Sequence, residues 1–147
     1  MLLQIVIDTN VFVSALRSKA GASFKLLNLV GACERFEINL SVPLVLEYED
    51  GANRQSSING LSAQDIGDVI DYLCSVANRR QIYFLWRPFL KDPKDDMVLE
   101  LAVEAQCTYI VSFNKRDFAG VEKFGLRVLT PQEFLKVIGE HDEHTES

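Results

Sequence analysis

Five short runs rich in Val, Ile, Leu and Phe, separated mostly by segments of helical period, constrain the fold more than any other feature of this chain. The runs are residues 2–7, 36–40, 82–85, 109–112 and 126–129. Near-continuous apolar strands are those buried on both faces, and strands that alternate with helices are joined by crossovers into parallel sheets. The pattern predicts an α/β fold of three layers, α/β/α, around a central, mostly parallel five-stranded sheet. Helices are expected over 10–17, 23–30, 41–50, 62–77, 92–106 and 130–139, four of them opened by Ser41, Ser62, Asp92 and Thr130 as caps. Residues 55–60, Gln-Ser-Ser-Ile-Asn-Gly, read as a turn-rich linker. With no internal repeat or boundary, residues 1–139 are expected to form a single domain, followed by a polar, disordered tail over 140–147.

Composition narrows the class. The chain has 147 residues, 48% of them hydrophobic, enough for one core, and no apolar run approaches the ~20 residues of a membrane span. Met1-Leu2-Leu3-Gln4 lacks a basic leader region and leads straight into an apolar run, so a cytoplasmic protein with no membrane partner is expected. Cys33, Cys74 and Cys107 are odd in number and lie among apolar neighbours, which predicts buried free thiols. A net charge of −6 argues against holding nucleic acid by bulk electrostatics alone. It is compatible with an acidic site that recruits cations.

In parallel sheets ligands bind beyond the carboxyl ends of the strands, so polar residues just after a run are the ones to question. Asp8, Thr9 and Asn10 follow the first run directly, three cap-capable residues where a helix start needs one. Glu47 shares a helix side with Leu44, Tyr48 and Gly51, and a carboxylate on an apolar side has to be paired, hydrogen-bonded or metal-bound. After Asp92-Pro93, helical spacing puts Asp96 on a stripe with Glu100 and Glu104, whereas Asp95 aligns with Leu99, Ala102 and Gln106. Asp95 is therefore expected to point inward, Asp96 outward, and Asp92 to serve only the helix start. Ser112, Asn114 and Asp117 follow the fourth run and bring more oxygen donors to the same edge, although an Asx turn accounts for Asn114 and Asp117 equally well.

Carboxylate and water oxygens suit hard cations such as Mg²⁺ or Mn²⁺, which activate water and offset charge developing on a phosphodiester. Asp8, Glu47 and Asp95 brought together without a cation would repel one another and raise at least one pKa. A bound divalent ion is therefore expected, with Asp8, Glu47 and Asp95 as catalytic ligands and Asn114 and Asp117 as further ones. Thr9, Asn10 and Ser112 would orient the carboxylates or a phosphate oxygen.

The residues Val6-Ile7-Asp8-Thr9-Asn10-Val11, Leu46-Glu47-Tyr48-Glu49, Asp92-Pro93-Lys94-Asp95-Asp96 and 111–118 resemble, in order and spacing, the PIN domain family. The likeness spans roughly 2–138 and is to the branch described as the toxin component of toxin–antitoxin systems. It implies a Mg²⁺- or Mn²⁺-dependent ribonuclease in which Asp8, Glu47 and Asp95 fall at three acidic positions. At the later acidic position many relatives carry Asp where this chain has Asn114, and others carry Asn followed by an acid like Asp117. The resemblance further implies single-stranded RNA as substrate, a small antitoxin as partner, and a homodimer. Gly51-Ala52-Asn53 departs from the branch, which continues its helix with bulky apolar residues, and a shorter or more mobile helix is expected there. Arg17, Lys19, Lys115 and Arg116 are candidates for contact with the RNA backbone. Two other readings stand beside this one: a phosphatase with Asp8 as nucleophile, which the Asn10 two residues on disfavours, and a PIN-fold binding module with little or no catalysis.

Overall fold

In the computed structural model, which describes residues 2–82 and 89–139, the strands β1 (Leu3–Ile7), β2 (Phe36–Leu40), β3 (Asn78–Arg79), β4 (Tyr109–Val111) and β5 (Arg127–Leu129) form one sheet. Every pairing is parallel and the order is β3-β2-β1-β4-β5. The chain steps outward from β1 to β2 and β3, then returns to the other side of β1 for β4 and β5. Right-handed crossovers put the helices of the two directions on opposite faces. The reversal makes the β1/β4 junction a topological switch point, where the crossovers diverge and leave a crevice beyond the carboxyl ends.

Seven helices flank the sheet among the described residues. Between β1 and β2 lie α1 (Thr9–Arg17) and α2 (Ala22–Leu29); between β2 and β3 lie α3 (Val42–Arg54), α4 (Ser56–Asn59) and α5 (Ala63–Val76). Helix α6 (Pro93–Glu104) packs across β1, β2 and β4, and α7 (Pro131–Val137) closes the described chain. Phe134 of α7 meets Phe36 of β2 and Tyr109 of β4 edge-on, at centroid distances of 5.2 and 6.0 Å. On the same layer Tyr48 of α3 stacks on Phe12 of α1 at 4.5 Å and donates its hydroxyl to the Ile7 carbonyl, which ties both helices to the end of β1. Caps follow the sequence closely: Ser62 with Asp65, and Thr130 with Glu133, form reciprocal boxes, and Ser41 accepts from the Leu44 amide. No helix among the described residues is long and apolar enough to cross a membrane.

Four expectations need correction. The third strand is Asn78–Arg79, immediately after α5, because Asn78 and Arg79 pair with Asn39 and Leu40; Ile82 is not in a strand, and the rest of 82–85 lies outside the described residues. The 55–60 linker holds a helical turn, α4, which Gly60 ends in the left-handed conformation at φ 72°. Helix α3 does not shorten at Gly51 but continues to Arg54. A Cβ on Gly51 would stand 3.0 Å from Val13 Cγ2 and 3.1 Å from Thr9 Cγ2, so the glycine lets α3 lie close against α1. Of the three free cysteines only Cys107 is buried, and Cys33 and Cys74 are partly exposed.

Candidate metal centre

The crevice at the switch point is an open cleft of about 620 Å³. Its long walls are α1 and α3, its floor is the end of β1, and the start of α6 and the turn after β4 close one end. Asp8 stands at the floor, 8% exposed. Its Oδ1 accepts the Thr9 amide at 2.8 Å, and its Oδ2 accepts the Ser112 hydroxyl at 2.7 Å. Asp8 is thus both the cap of α1 and a carboxylate presented to the cleft. Asn10 braces this pair, donating from Nδ2 to Ser112 Oγ at 3.3 Å and accepting the Phe113 amide on Oδ1. Ser112, which is fully buried, also accepts the Asn114 amide at 3.0 Å.

Asp95, Asp92 and Asp117 line the same cleft, together with Asn114 and Thr9. Burial pushes the Asp8 carboxyl above its ordinary range; the Ser112 and Thr9 hydrogen bonds work against this, and the Asp117 and Asp92 charges add to it. Asp95 is raised further, to about 7, first by desolvation and then by the charges of Asp8, Asp117, Asp92 and Asp96. A carboxylate at this site is therefore short of positive charge. Glu47, on the α3 wall, is placed differently: its Oε2 lies 3.4 Å from Lys94 Nζ, so a cation from the chain itself already stands beside it.

The helix-face argument for α6 placed Asp95 in the cleft but misplaced its neighbour. Asp96 does not lie on a solvent stripe; it is 9% exposed and accepts the Phe89 and Leu90 amides at 3.2 and 2.8 Å. The chain entering α6 folds back over the first turn, and its free N–H groups take the carboxylate that helical periodicity would leave outside. Asp92, expected only to serve the helix start, does cap α6 by accepting the Lys94 amide at 2.9 Å, and it also faces the cleft.

Of the basic candidates, Arg17 lines the cleft. Lys115 does not; its Nζ is 2.6 Å from Glu133 Oε1 of α7. Lys19 and Arg116 are exposed and are not among the lining residues. Lys94, Arg54, Gln55 and Phe113 are among the lining residues without a functional reading from sequence. The position of Lys94, next to Asp95 in the first turn of α6, was the signal for it; for Phe113 the signal was an aromatic directly after a buried strand.

The PIN domain profile matches residues 4–116. The chain belongs to the PIN domain family. The match covers nearly all of β1 through β4 and every residue that lines the cleft except Asp117. PIN domains are in general nucleases, and divalent metals are typical of the family. No curated protein matches this PIN domain. Among its described residues no three acidic, His or Cys groups surround one point closely enough to form a ready cage. An all-oxygen donor set with one carboxyl raised to about 7 still fits Mg²⁺ or Mn²⁺, since such ions keep several waters and need few direct carboxylates.

Proposed function

We propose that this PIN domain is a metal-dependent endoribonuclease that hydrolyses phosphodiester bonds in single-stranded RNA, and that it serves as the toxin of a toxin–antitoxin pair. The observation that carries the reading is the Asp95 carboxyl, raised to about 7 by burial and by the carboxylates around it, in an open cleft at the switch point of a parallel sheet. Deprotonated together, Asp8, Asp95 and Asp117 make a site that favours a small divalent cation over any neutral ligand.

Asp8, Glu47 and Asp95 would hold Mg²⁺ or Mn²⁺, with Asp117 and Asn114 as further or water-mediated ligands. A divalent ion there supplies an activated water and neutralises charge on the phosphorane-like transition state. The chain's own residues do the positioning. Ser112 and Thr9 fix the rotamer of Asp8, and Asn10 fixes Ser112, so the ligand is oriented before anything binds. Lys94 keeps a positive charge at Glu47 and at the mouth, where an RNA phosphate arrives. In the toxin reading a small antitoxin covers this mouth, the active form is a homodimer, and the activity is cytoplasmic.

The test is incubation of the purified protein with single-stranded RNA and Mn²⁺, with and without EDTA, beside Asp8→Asn. Cleavage should require the metal and fall by about two to three orders of magnitude in the variant. Cleavage that persists in EDTA or in Asp8→Asn would sink the metal mechanism. RNA binding without cleavage would instead favour a binding module, a reading that the Lys94–Glu47 pair and the amide at Asn114 support. Growth arrest on expression, relieved by a protein encoded beside it, tests the toxin assignment.

A further inference from the structure

Phe113 is 48% exposed and lines the cleft, although Ile110 and Val111 before it are fully buried. Among the described residues its ring has no aromatic partner, unlike Phe12, Phe36, Phe89 and Phe134. Its backbone is nonetheless held firmly. The Phe113 amide donates to Asn10 Oδ1 at 3.4 Å, and the next amide donates to the same Ser112 hydroxyl that bonds Asp8. The backbone that carries the ring therefore keeps a fixed offset from the carboxylate at the cleft floor.

The cleft is also polarised along its length. Helix α1 lines it from Thr9 and Asn10 to Arg17, and α3 lines it from Glu47 to Arg54. At a rise of ~1.5 Å per residue, Arg17 lies about 10 Å beyond Asn10, the reach of a nucleotide or two of extended strand. Asp8, Asp92, Asp95 and Asp117 gather where β1 ends, and Arg17 and Arg54 line the cleft further along the two helices, with Asp50 between Glu47 and Arg54 on α3. Arg17 has no ion pair among the described residues, and Arg54 is held 2.7 Å from Asp50. An exposed aromatic face at one end of a groove with cations further along it is the arrangement that binds unpaired nucleic acid, by stacking one base and tracking the backbone.

We propose that Phe113 is the stacking platform for an unpaired base beside the scissile phosphate, while Arg17 and Arg54 hold the backbone of the same strand further along α1 and α3. The inference rests on the ribonuclease reading of the cleft and adds its selection device. A duplex keeps its bases stacked inside and has none to offer the ring. The platform selects unpaired RNA without reading its sequence, because every base has a π face.

The experiment is fluorescence anisotropy of the intact protein in Ca²⁺ with two labelled strands of equal length, a 2′-O-methyl oligouridine and an abasic strand, their integrity checked on a gel. Wild type should bind the base-bearing strand about tenfold more tightly than the abasic one. Phe113→Ala should bind both equally at unchanged thermal stability, and Phe113→Trp should keep the preference. The Arg17→Ala/Arg54→Ala double variant should weaken both strands alike and flatten the salt dependence. A preference that survives in Phe113→Ala, or is absent from wild type, overturns the platform. Because nothing is cleaved in this assay, a base preference in a protein that cuts no RNA supports the platform while refuting the nuclease reading. Cleavage without a base preference does the reverse.

Discussion

Two clusters of polar side chains sit on this sheet, and they treat their carboxylates in opposite ways. On the face of β1, β2 and β3, Gln4 Nε2 and Asn78 Nδ2 both donate to Glu37 Oε1, at 3.0 and 2.9 Å. Asn39, fully buried, donates to Gln4 Oε1 at 2.9 Å and accepts from Arg80 Nε at 3.0 Å. The Glu37 carboxyl is accordingly lowered, first by Gln4, then by Asn78 and the Arg80 charge, against a desolvation cost. At the carboxyl edge, Asp8 has two donors that do not outweigh its burial, and Asp95 is raised to about 7 with no side-chain hydrogen bond among the described residues to offset its burial. A carboxylate whose donors outweigh its burial, as at Glu37, needs nothing from solution. One left with burial and like charges needs a proton or a cation, and that difference, more than the number of acids, marks the cleft as the site.

The largest expected effect comes from breaking the satisfied cluster. Asn39→Ala leaves Arg80 Nε without its acceptor and opens a void at a fully buried position, so urea unfolding should show a loss of about 3 kcal/mol. Metal should not restore it. Asp95→Asn should act in the opposite direction in metal-free protein. The folded pKa of Asp95 lies above its unfolded value of 3.8, so ionisation costs stability progressively as pH rises from about 4 to about 7. The melting temperature of the variant should therefore exceed that of wild type by an amount that grows from about pH 4 and levels off above about pH 7. With Mn²⁺ the ranking should invert, because the ion stabilises only the chain that binds it. A variant no more stable than wild type at about pH 8 would show that Asp95 is not starved of partners.

The sequence made the sheet and most of the helices legible because their signals are local: β-branched runs, and caps such as Ser62 with Asp65 whose partners lie three residues away. It also brought Asp8 and Asp95 to one edge, since strand ends and helix faces follow from periodicity. What it missed depends on how distant backbone closes over a residue. Asp96 is taken by the amides of Phe89 and Leu90, and no helical wheel contains a preceding loop. Gly51 looks like a helix breaker in isolation, yet it is the point where α1 and α3 touch. Glu47 was foreseen on the apolar side of its helix, but its partner Lys94 comes from another helix that only the fold brings near. Strand β3 is too short to carry a periodic pattern, and its pairing with Asn39 and Leu40 is a tertiary fact.

The smallest effect sharpens the comparison best. In Glu37→Gln the side chain keeps a carbonyl oxygen that can accept from Gln4 and Asn78, so only the charge assistance is lost. Water screens that contribution at a partly exposed residue, and the cost at neutral pH should stay under about 1 kcal/mol. Its pH dependence carries the information. The folded pKa of Glu37 lies below its usual value, so its contribution is present above the unfolded pKa and is lost as pH falls through the folded one. The gap between wild type and Glu37→Gln should thus close on acidification, and so should the gap between wild type and Asp95→Asn, but the two variants start on opposite sides of wild type. If both variants lay on the same side at neutral pH, the two clusters would not differ in the supply of donors, and the cleft would lose its physical claim to a cation.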